Sequence, residues 1–383
     1  MKAKILFHKN FKLQGRSFSL KEELIDFSFE ISSELQFFLK QWFNKENFIQ
    51  VNTSGSTGNP KLIQLQKKHM VNSALATGTY FHLPKNTKAL LCMSPNFIAG
   101  KMMLVRALTL GWYIDVVEPT SNPLKNINKQ YDFSAMVPLQ LNNSLSDIYK
   151  IKKLIVGGGA VSNELLNKIQ NINTEVFATY GMTETITHIA VKRLNNFNSV
   201  ISSAVEKSKN DKDVILSNPL FHNNVIETET NQSHYNLLPN IKISKDNRGC
   251  LVIDAPKVSN ELVITNDLVE LISSTEFKWL GRFDTIINSG GIKLIPEQIE
   301  ENFAKIIPQR FFVAGITDEI LGEKLILVIE SSSDTVSSDE ILLNIKNLKL
   351  INRFEIPKEI YFIEQFVETP TNKIHRAETL KLL

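Results

Sequence analysis

A nine-residue segment near the start of the chain combines the groups that bind a phosphate chain; it reads Thr-Ser-Gly-Ser-Thr-Gly-Asn-Pro-Lys over residues 53–61. Glycines let backbone N–H groups turn toward phosphate oxygens, hydroxyl groups donate further hydrogen bonds, and the lysine supplies positive charge. The order Gly-x-x-x-x-Gly-Lys-Ser/Thr is absent, which argues against a P-loop NTPase. Composition alone fits a flexible Ser/Gly linker equally well.

Four further clusters of small, polar and charged residues follow along the chain. Gly157-Gly158-Gly159 comes directly after an apolar run, and Tyr180-Gly181-Met182-Thr183-Glu184 ends the next run. Gly281-Arg282-Phe283-Asp284 and Pro370-Thr371-Asn372-Lys373 come later. Taken singly, each has an ordinary structural explanation: a tight turn, a core tyrosine, a turn aspartate, or a solvated charge.

The histidines give no metal site, because His69, His82, His188 and His375 lack the spacing of metal ligands. His188 follows Glu184 by four residues. It could reach a substrate pocket or pack in the core, and the sequence does not decide between these.

Together and in this order, the motifs resemble those of the adenylate-forming superfamily, which contains acyl-CoA synthetases, the adenylation domains of peptide synthetases and luciferases. Residues 53–61 match its phosphate-loop motif completely, and residues 180–184 match its Tyr-Gly-x-Thr-Glu motif. Residues 281–300 match its hinge motif through Pro296-Glu297-Gln298-Ile299-Glu300, and residues 370–373 match the C-terminal motif that carries the catalytic lysine. The resemblance spans nearly the whole chain and implies ATP-dependent activation of a carboxylic acid.

The resemblance implies a role for each matching residue. In catalysis, Thr183 would contact the α-phosphate, Glu184 would hold Mg²⁺, and Lys373 would bridge the acyl carboxylate and the α-phosphate. The remaining nucleotide contacts would come from residues that hold the phosphates (Thr53, Ser54, Gly55, Ser56, Thr57, Gly58 and Lys61), frame the adenine (Gly158, Gly159, Ala160 and Tyr180) and bind the ribose (Asp267 and Arg282).

The same resemblance implies a second half-reaction with coenzyme A as co-substrate. After the acyl-adenylate has formed, the small C-terminal domain would rotate about Asp284 and withdraw the Lys373 loop. A CoA-side loop would replace it; its candidate residues are Ser289, Gly290, Gly291 and Lys293. Domains 1–281 and 282–383 are therefore expected, the first for AMP binding and the second mobile.

The acid itself is indicated only indirectly. The chain has 52 residues before its phosphate loop, and this shortened N-terminal part resembles the compact o-succinylbenzoate–CoA ligases of menaquinone synthesis, as does segment 97–106. o-Succinylbenzoate has two carboxylates, so one can react while a cation anchors the other. Arg106 and Lys101 are the candidate anchors. The alternative is that Lys101 is solvated and Arg106 pairs with a structural carboxylate.

Two departures from the family pattern concern the site. Phe97 stands where many relatives have histidine, so gating of the first step could differ. Asn266 replaces the usual glycine before Asp267, at a position that often needs unusual backbone angles, which asparagine tolerates better than most residues.

Two other functions remain open on the sequence. One is a ligase of the same superfamily for another aryl or acyl substrate, or one that loads a carrier-protein thiol. The other is a nucleotide-binding module without catalysis, against which the intact Glu184 and Lys373 argue.

The elements that must position these residues alternate between strand and helix. Short apolar runs recur at 89–93, 113–117, 133–137, 154–156 and 176–179, with helix-like segments between several of them. This pattern predicts an α/β fold: a large N-terminal domain of layered, mostly parallel sheets with flanking helices. The region after Gly281 predicts a small α+β domain, with helices over 296–306 and 339–348 and strands over 310–315, 324–330 and 359–363. Further helices are predicted over 19–43 and 67–80, the first from the capping-box spacing of Ser19 and Glu22.

Bulk properties fit an ordinary globular enzyme. The 383 residues are 43% hydrophobic and 22% charged, and a net charge of +3 is too small to indicate nucleic acid as a partner. No apolar run has membrane-spanning length, and the N-terminus has no signal-peptide pattern. Cys92 and Cys250 lie in apolar runs, which predicts buried, reduced thiols and a cytoplasmic location. The resemblance implies small-molecule partners, the acid and CoA, and the oligomeric state is open.

Overall fold

The computed structural model describes residues 7–52, 62–196, 234–331, 337–349, 351–369 and 374–383. These residues form two compact units. The first unit contains residues 7–51, 64–196 and 234–240. The second contains Asn52, residues 62–63 and the described residues from Ile241 onward. The phosphate-loop segment 53–61 and the motif 370–373 lie outside the described residues.

Helices and short strands alternate through the described residues up to Asn240. The helices are α1 (Lys21–Phe29), α2 (Ser33–Phe43), α3 (Lys67–Tyr80), α4 (Ile98–Leu110), α5 (Pro138–Asn143) and α6 (Asn163–Lys168). The strands are β1 (Lys12–Leu13), β2 (Arg16–Ser17), β3 (Phe48–Asn52), β4 (Leu62–Gln66), β5 (Lys88–Leu91), β6 (Tyr113–Val116), β7 (Tyr131–Met136), β8 (Ile151–Val156), β9 (Glu175–Gly181), β10 (His188–Arg193) and β11 (Tyr235–Leu237).

Nine strands of the first unit are hydrogen-bonded side by side in the order β11-β10-β9-β8-β7-β5-β6-β1-β2. Neighbours from β9 to β1 run parallel, and β2, β10 and β11 are antiparallel to their neighbours. The chain goes from β5 to β6 on one side and then to β7 on the other, so the strand order reverses beside β5. Ligands of open α/β sheets bind outside the carboxyl ends of the strands at such a switch point.

The prediction of one helix over 19–43 is wrong, because the segment forms two helices. Helix α2 has its own start signal: Ser32 adopts an extended backbone and its hydroxyl accepts a hydrogen bond of 3.1 Å from the Leu35 N–H. The predicted capping box at Ser19 does not form with Glu22; the Ser19 N–H instead donates to the Glu23 carboxylate. The apolar stripe continues through both helices, so periodicity alone did not reveal the break.

The second unit contains two sheets among its described residues. The strands β12 (Lys242–Lys245), β13 (Cys250–Asp254), β14 (Val263–Leu271) and β15 (Glu276–Arg282) form an antiparallel sheet in chain order. The other sheet has the order β17-β16-β19-β18, with β20 parallel to β19; its strands are β16 (Ile287–Ser289), β17 (Ile292–Leu294), β18 (Phe311–Asp318), β19 (Gly322–Glu330) and β20 (Glu359–Ile363). The helices are α7 (Pro296–Phe303), α8 (Ser338–Lys346) and α9 (Arg376–Leu380).

Strand β19 is buried on both of its faces. Leu325, Leu327 and Ile329 join the cluster that α7 and α8 cover, whereas Ile326 and Val328 join a second cluster on the opposite face. Side chains alternate across a strand, so a continuous apolar run is what two-sided burial requires. This explains why the run at 324–330 was readable from the sequence.

The predicted fold class is confirmed. Helix α3 and strand β20 have the predicted bounds, and the other predicted strands of the parallel sheet are found within three residues of their predicted ends. Cys92 and Cys250 are both buried and unpaired, as expected. Within the described ranges, no helix is long and apolar enough to cross a membrane. The predicted domain boundary at 281/282 marks where the C-terminal domain would rotate, and it stays a prediction.

Replacing the helix cap should weaken the first unit measurably. Ser32→Ala leaves the Leu35 N–H without its side-chain acceptor, and loss of a serine N-cap costs about 1 kcal/mol. Urea unfolding should therefore show a lower midpoint with an unchanged slope. Ser33→Ala is the matched control, because the Ser33 hydroxyl bonds only to the exposed Glu34 carboxylate. Equal effects of the two substitutions would contradict the cap assignment.

Candidate active site

The glycine run after β8 fits its sharp turn for two different reasons. A Cβ atom at Gly157 would lie 2.5 Å from the Thr179 hydroxyl oxygen on the neighbouring strand β9, so only glycine allows this approach. Gly158 has φ +81°, a backbone conformation that favours glycine. A Cβ atom at Gly159 would make only an ordinary 3.8 Å contact with Pro138. The predicted adenine-framing residues Gly158, Gly159 and Ala160 are all exposed at this carboxyl edge of the sheet.

The end of β9 is tied to the start of β10 by a very close backbone approach. A Cβ atom at Gly181 would lie 2.2 Å from the Thr187 carbonyl oxygen and 2.4 Å from the His188 Cα atom. Between them, Ile186 has φ +69° and ψ −59°, and the Thr187 N–H donates to the Thr185 carbonyl at 2.8 Å. This is a γ-turn of the rare, strained kind, here at a β-branched residue whose side chain is buried.

Thr183 and Glu184 lie in a single 3-10 turn, Thr183–Thr185, that this hairpin holds. The Thr185 hydroxyl fixes the turn by accepting from the Met182 N–H at 3.2 Å. Glu184 is exposed. No group of three or more His, Cys, Asp or Glu side chains in the described ranges could hold a metal ion. An exposed single carboxylate fits Mg²⁺, which proteins bind through one or two carboxylates together with substrate phosphates.

The adenine candidate Tyr180 has an aromatic neighbour. Its ring centroid lies 5.7 Å from that of Tyr235 on β11, and the Lys192 ammonium lies 5.2 Å from the Tyr235 ring. Tyr180 is partly exposed at the end of β9. Its predicted stacking on adenine stays a prediction.

The ribose candidates Asp267 and Arg282 are direct partners across β14 and β15. The Trp279 indole N–H donates to one Asp267 carboxylate oxygen at 3.1 Å and thereby orients it. Arg282 makes a two-pronged bond to the hinge candidate Asp284, at 2.8 and 2.7 Å. The hydrogen bond from Arg282 lowers the pKa of Asp284 below its usual value. The structure thus brings all three residues together at one end of this sheet.

Asn266, the departure beside Asp267, has a side-chain function that the sequence did not predict. Its backbone lies within strand β14 and has no positive φ, so the expected unusual backbone angles are not the reason for asparagine here. Its amide oxygen instead accepts from Arg248 at 2.8 Å. Its side chain also hydrogen-bonds Asp284, which contributes to the lowered pKa of that carboxyl. Asn266 therefore connects Arg248 to Asp284, the hinge candidate.

The CoA-side candidates form a tight hairpin turn. Ser289 and Ile292 pair across β16 and β17, and between them Gly290 and Gly291 have φ +57° and +81°. Two consecutive positive φ values are what a two-residue hairpin turn needs. Lys293 follows on β17 with its side chain exposed.

Arg106 is buried without a carboxylate partner in the described part of the chain. Its Nε donates to the Thr77 hydroxyl at 3.3 Å, and its Nη2 lies 3.4 Å from Nδ1 of His188. Burial lowers the pKa of the guanidinium to about 9. Pairing with a structural carboxylate, the alternative considered above, is therefore not found among the described residues. The cation is held by neutral groups.

The alternative that Lys101 is solvated is wrong, and its proposed role as a carboxylate anchor stays a prediction. It is buried rather than solvated, and its ammonium donates to the backbone carbonyls of Pro95 at 2.6 Å and Asn96 at 3.0 Å. Burial lowers its pKa to about 8. Lys101 thus closes the loop that precedes α4, and this contact favours a structural role over that of a carboxylate anchor.

Comparisons with known proteins identify the family of the chain. A sequence model of the family described as "AMP-binding enzyme" matches residues 38–214. A solved structure described as an acyl-CoA synthetase (AMP-forming)/AMP-acid ligase II-like protein, from Dyadobacter fermentans, is 34% identical, with a TM-score of 0.56 and coverage of 91% of this chain and 94% of that one. The chain belongs to the family of AMP-binding, AMP-forming acyl-CoA synthetases and acid ligases.

More specific relatives have one recurring name. The 2-succinylbenzoate–CoA ligase of Staphylococcus epidermidis is 25% identical over 351 residues, which cover 88% of this chain and 70% of that protein. The o-succinylbenzoate coenzyme A synthetase of Bacillus subtilis, solved in complex with ATP and magnesium ion, has a TM-score of 0.65 at 21% identity and covers 86% of this chain and 69% of that one. At this identity, the second likeness concerns the fold.

Three residues that contact the candidate site were not predicted from the sequence. Thr77 lies in the last turn of α3, Trp279 in β15 and Arg248 in the turn before β13. Each acts through a partner far away in the sequence, and none has a local motif. Even at Thr77 the sequence gives no indication, because the buried face of α3 also carries Lys67, His69 and Ser73.

Alanine substitutions in the glycine run should reveal the packing constraint at Gly157. Gly157→Ala pushes a methyl group against the Thr179 hydroxyl, and such overpacking costs about 1–3 kcal/mol, so the free energy of unfolding in urea should fall. Gly159→Ala is the matched control and should change it little. Adding Thr179→Ala to Gly157→Ala should recover part of the loss; no recovery would refute the clash.

Proposed function

We propose that this protein is an ATP-dependent carboxylate–CoA ligase that converts o-succinylbenzoate into o-succinylbenzoyl-CoA, a step of menaquinone biosynthesis. Family membership supports the reaction class, and the names of the curated relatives support the acid. The observation that carries the proposal is Arg106, a buried cation without a described carboxylate partner, which suits a substrate with a second carboxylate.

The chemistry divides into two displacements. A carboxylate oxygen of the acid attacks the α-phosphorus of ATP, and the bond to pyrophosphate breaks. The CoA thiol then releases its proton to water and its sulfur attacks the acyl carbon. The bond between that carbon and the AMP phosphate oxygen breaks, and AMP leaves with the electron pair. Because two anions meet in the first step, positioning and charge neutralisation are the main contributions required of the protein.

Several proposed residues together would neutralise the negative charge of the reacting groups in the first step. Glu184 would hold Mg²⁺, which neutralises phosphate charge when bound. Lys61 and Lys373 would add positive charge, and Thr183 would contact the α-phosphate. The hydroxyls of Thr53, Ser54, Ser56 and Thr57 would hold the phosphate chain. These assignments rest on the motif resemblance and, for Thr183 and Glu184, are supported by their position at the carboxyl edge of the sheet.

Arg106 is the better of the two proposed anchors for the second carboxylate. A buried charge is costly unless it is paired, and removal from water disfavours the charged guanidinium, as its lowered pKa indicates. A bound carboxylate would compensate this cost with the two-pronged geometry that arginine offers. Lys101, by contrast, already donates to two carbonyl groups.

The second half-reaction needs the proposed domain alternation. We assign the boundary to residues 281/282 and the hinge to Asp284, whose carboxylate is held by Arg282 and Asn266. Hinges are a few residues that absorb large backbone changes. The turn Ser289–Lys293 would then face the CoA thiol. The buried, unpaired thiols of Cys92 and Cys250 support a cytoplasmic location, which is also part of the proposal.

A panel of acids tests the function directly. With ATP, Mg²⁺ and CoA, AMP release should be fastest with o-succinylbenzoate and slower with benzoate, malonate and octanoate. A higher rate with another acid would replace the proposed substrate. The absence of ATP–pyrophosphate exchange with every acid would overturn the enzymatic function and leave a nucleotide-binding module.

In the same assay, Arg106→Met should raise the KM for o-succinylbenzoate by tenfold or more, because one charge-assisted bidentate contact is lost. Its stability toward urea should not fall, since an unpaired buried charge is replaced by an apolar side chain. Lys101→Met is the matched comparison. A larger KM effect of Lys101→Met than of Arg106→Met would transfer the anchor to Lys101.

Lys373→Ala should separate the half-reactions. Formation of the acyl-adenylate should fall by orders of magnitude, because the charge bridging the two reacting anions is removed. Conversion of a supplied acyl-adenylate and CoA into product should stay within about threefold, since this step does not use Lys373. Pre-steady-state measurement of each half-reaction checks this, and an equal loss in both would refute the domain alternation.

A further inference from the structure

Three buried side chains from three elements, one of them Arg106, are linked to one another in a closed ring. Arg106 on α4 donates from Nε to the Thr77 hydroxyl on α3 and approaches His188 Nδ1 with Nη2. The ring closes between Thr77 and His188 Nε2, at 3.5 Å. All three residues are at most 5% exposed. The separations are long for hydrogen bonds, but each joins a donor to an acceptor.

The protons of this ring have one consistent arrangement. A guanidinium can only donate, so Nδ1 of His188 must accept and its proton must sit on Nε2. The Thr77 hydroxyl donates to the Ser73 carbonyl at 3.0 Å. Its two lone pairs are then free for Arg106 Nε–H and His188 Nε2–H. His188 is thereby a neutral imidazole, in agreement with burial and the nearby Arg106 charge, which depress its pKa well below the usual value.

The ring uses two of the five guanidinium N–H groups and leaves the others without a partner in the described part of the chain. Bonds to Nε and Nη2 along one edge of a planar group fix the orientation of its plane. At the end of the guanidinium, one Nη1–H and the second Nη2–H then remain as parallel donors for one carboxylate. An arginine that is not held in this way would lose side-chain entropy when it binds the carboxylate, and this loss would weaken binding. Because Thr77 and His188 already hold Arg106, more of the contact energy contributes to affinity.

His188 also connects this ring to the proposed nucleotide residues. Its backbone is pressed against Gly181, and the strained turn at Ile186 separates it from Thr183 and Glu184. The position of the ring therefore depends on the same hairpin as the residues proposed for the α-phosphate and Mg²⁺. The distance between the two ends of a bound acid would be set by this rigid segment.

We propose that Thr77 and His188 are positioning residues that fix the Arg106 guanidinium and so give selectivity for acids with a second carboxylate. This inference rests on the proposed function, because the ligand of Arg106 is the substrate anion. It adds that selectivity requires two neutral residues that do not touch the reacting atoms, and that His188 acts without titrating.

The test compares o-succinylbenzoate with two analogues that each lack one carboxylate, 4-oxo-4-phenylbutanoate and 2-propanoylbenzoate, in ATP–pyrophosphate exchange. Thr77→Val and His188→Phe should each raise the KM for o-succinylbenzoate about tenfold, since each removes one bond to a charged group. The KM for ATP, kcat and the KM for whichever analogue reacts should stay within about twofold. Thr77→Ser keeps the hydroxyl and should retain the wild-type KM.

The outcomes separate this inference from the function beneath it. Wild-type protein without preference for o-succinylbenzoate over the analogues would overturn the proposed substrate. A wild-type preference that both variants retain, or a KM rise of equal size for both kinds of acid, would overturn the positioning role alone. Loss of the wild-type KM in Thr77→Ser would point to packing and likewise refute it. Urea unfolding of each variant shows that folded protein is compared.

Discussion

The close backbone approach between Gly181 and His188 is the constraint on which the candidate site depends. It leaves no space for a Cβ atom at position 181, and it forces the connecting turn through the strained conformation of Ile186. The residues proposed for the α-phosphate and for Mg²⁺ lie inside this turn, and the residue that supports Arg106 lies at its end. Strain of this kind persists only where surrounding structure determines it, here through burial of the Ile186 side chain.

Buried cations held by neutral oxygen atoms recur in the first unit. Lys67 donates to the Asn44 side chain at 2.8 Å, and Lys101 donates to two backbone carbonyls. Burial lowers the pKa of each lysine to about 8. These lysines close loops, because carbonyl groups surround the ammonium. Arg106 has fewer oxygen partners and keeps donors without a described acceptor. Burial therefore accompanies a structural contact at the two lysines and the proposed binding group at Arg106.

The sequence predicted much of the fold because the periodic patterns are local. Helix α3 and strand β20 were predicted to the residue, and runs of two or three glycines located the turns at 157–159 and 290–291. The break at Ser32 was missed because the apolar stripe continues across it. The roles of the motif residues followed from resemblance, whereas the surroundings of Arg106, Lys101 and Asn266 could not be predicted. Those surroundings consist of contacts between residues far apart in the chain, which no local pattern encodes.

The enclosure of Arg106 has a consequence for how the protein would respond to its medium. Charges at a protein surface are screened by dissolved salt over about 8–10 Å at physiological concentrations, whereas buried charges are screened much less. A surface patch of lysines would select anions strongly in dilute buffer and weakly in concentrated salt. Arg106 is 2% exposed. Discrimination between acids by this group would therefore be nearly independent of ionic strength, a property suited to a cell whose salt content changes.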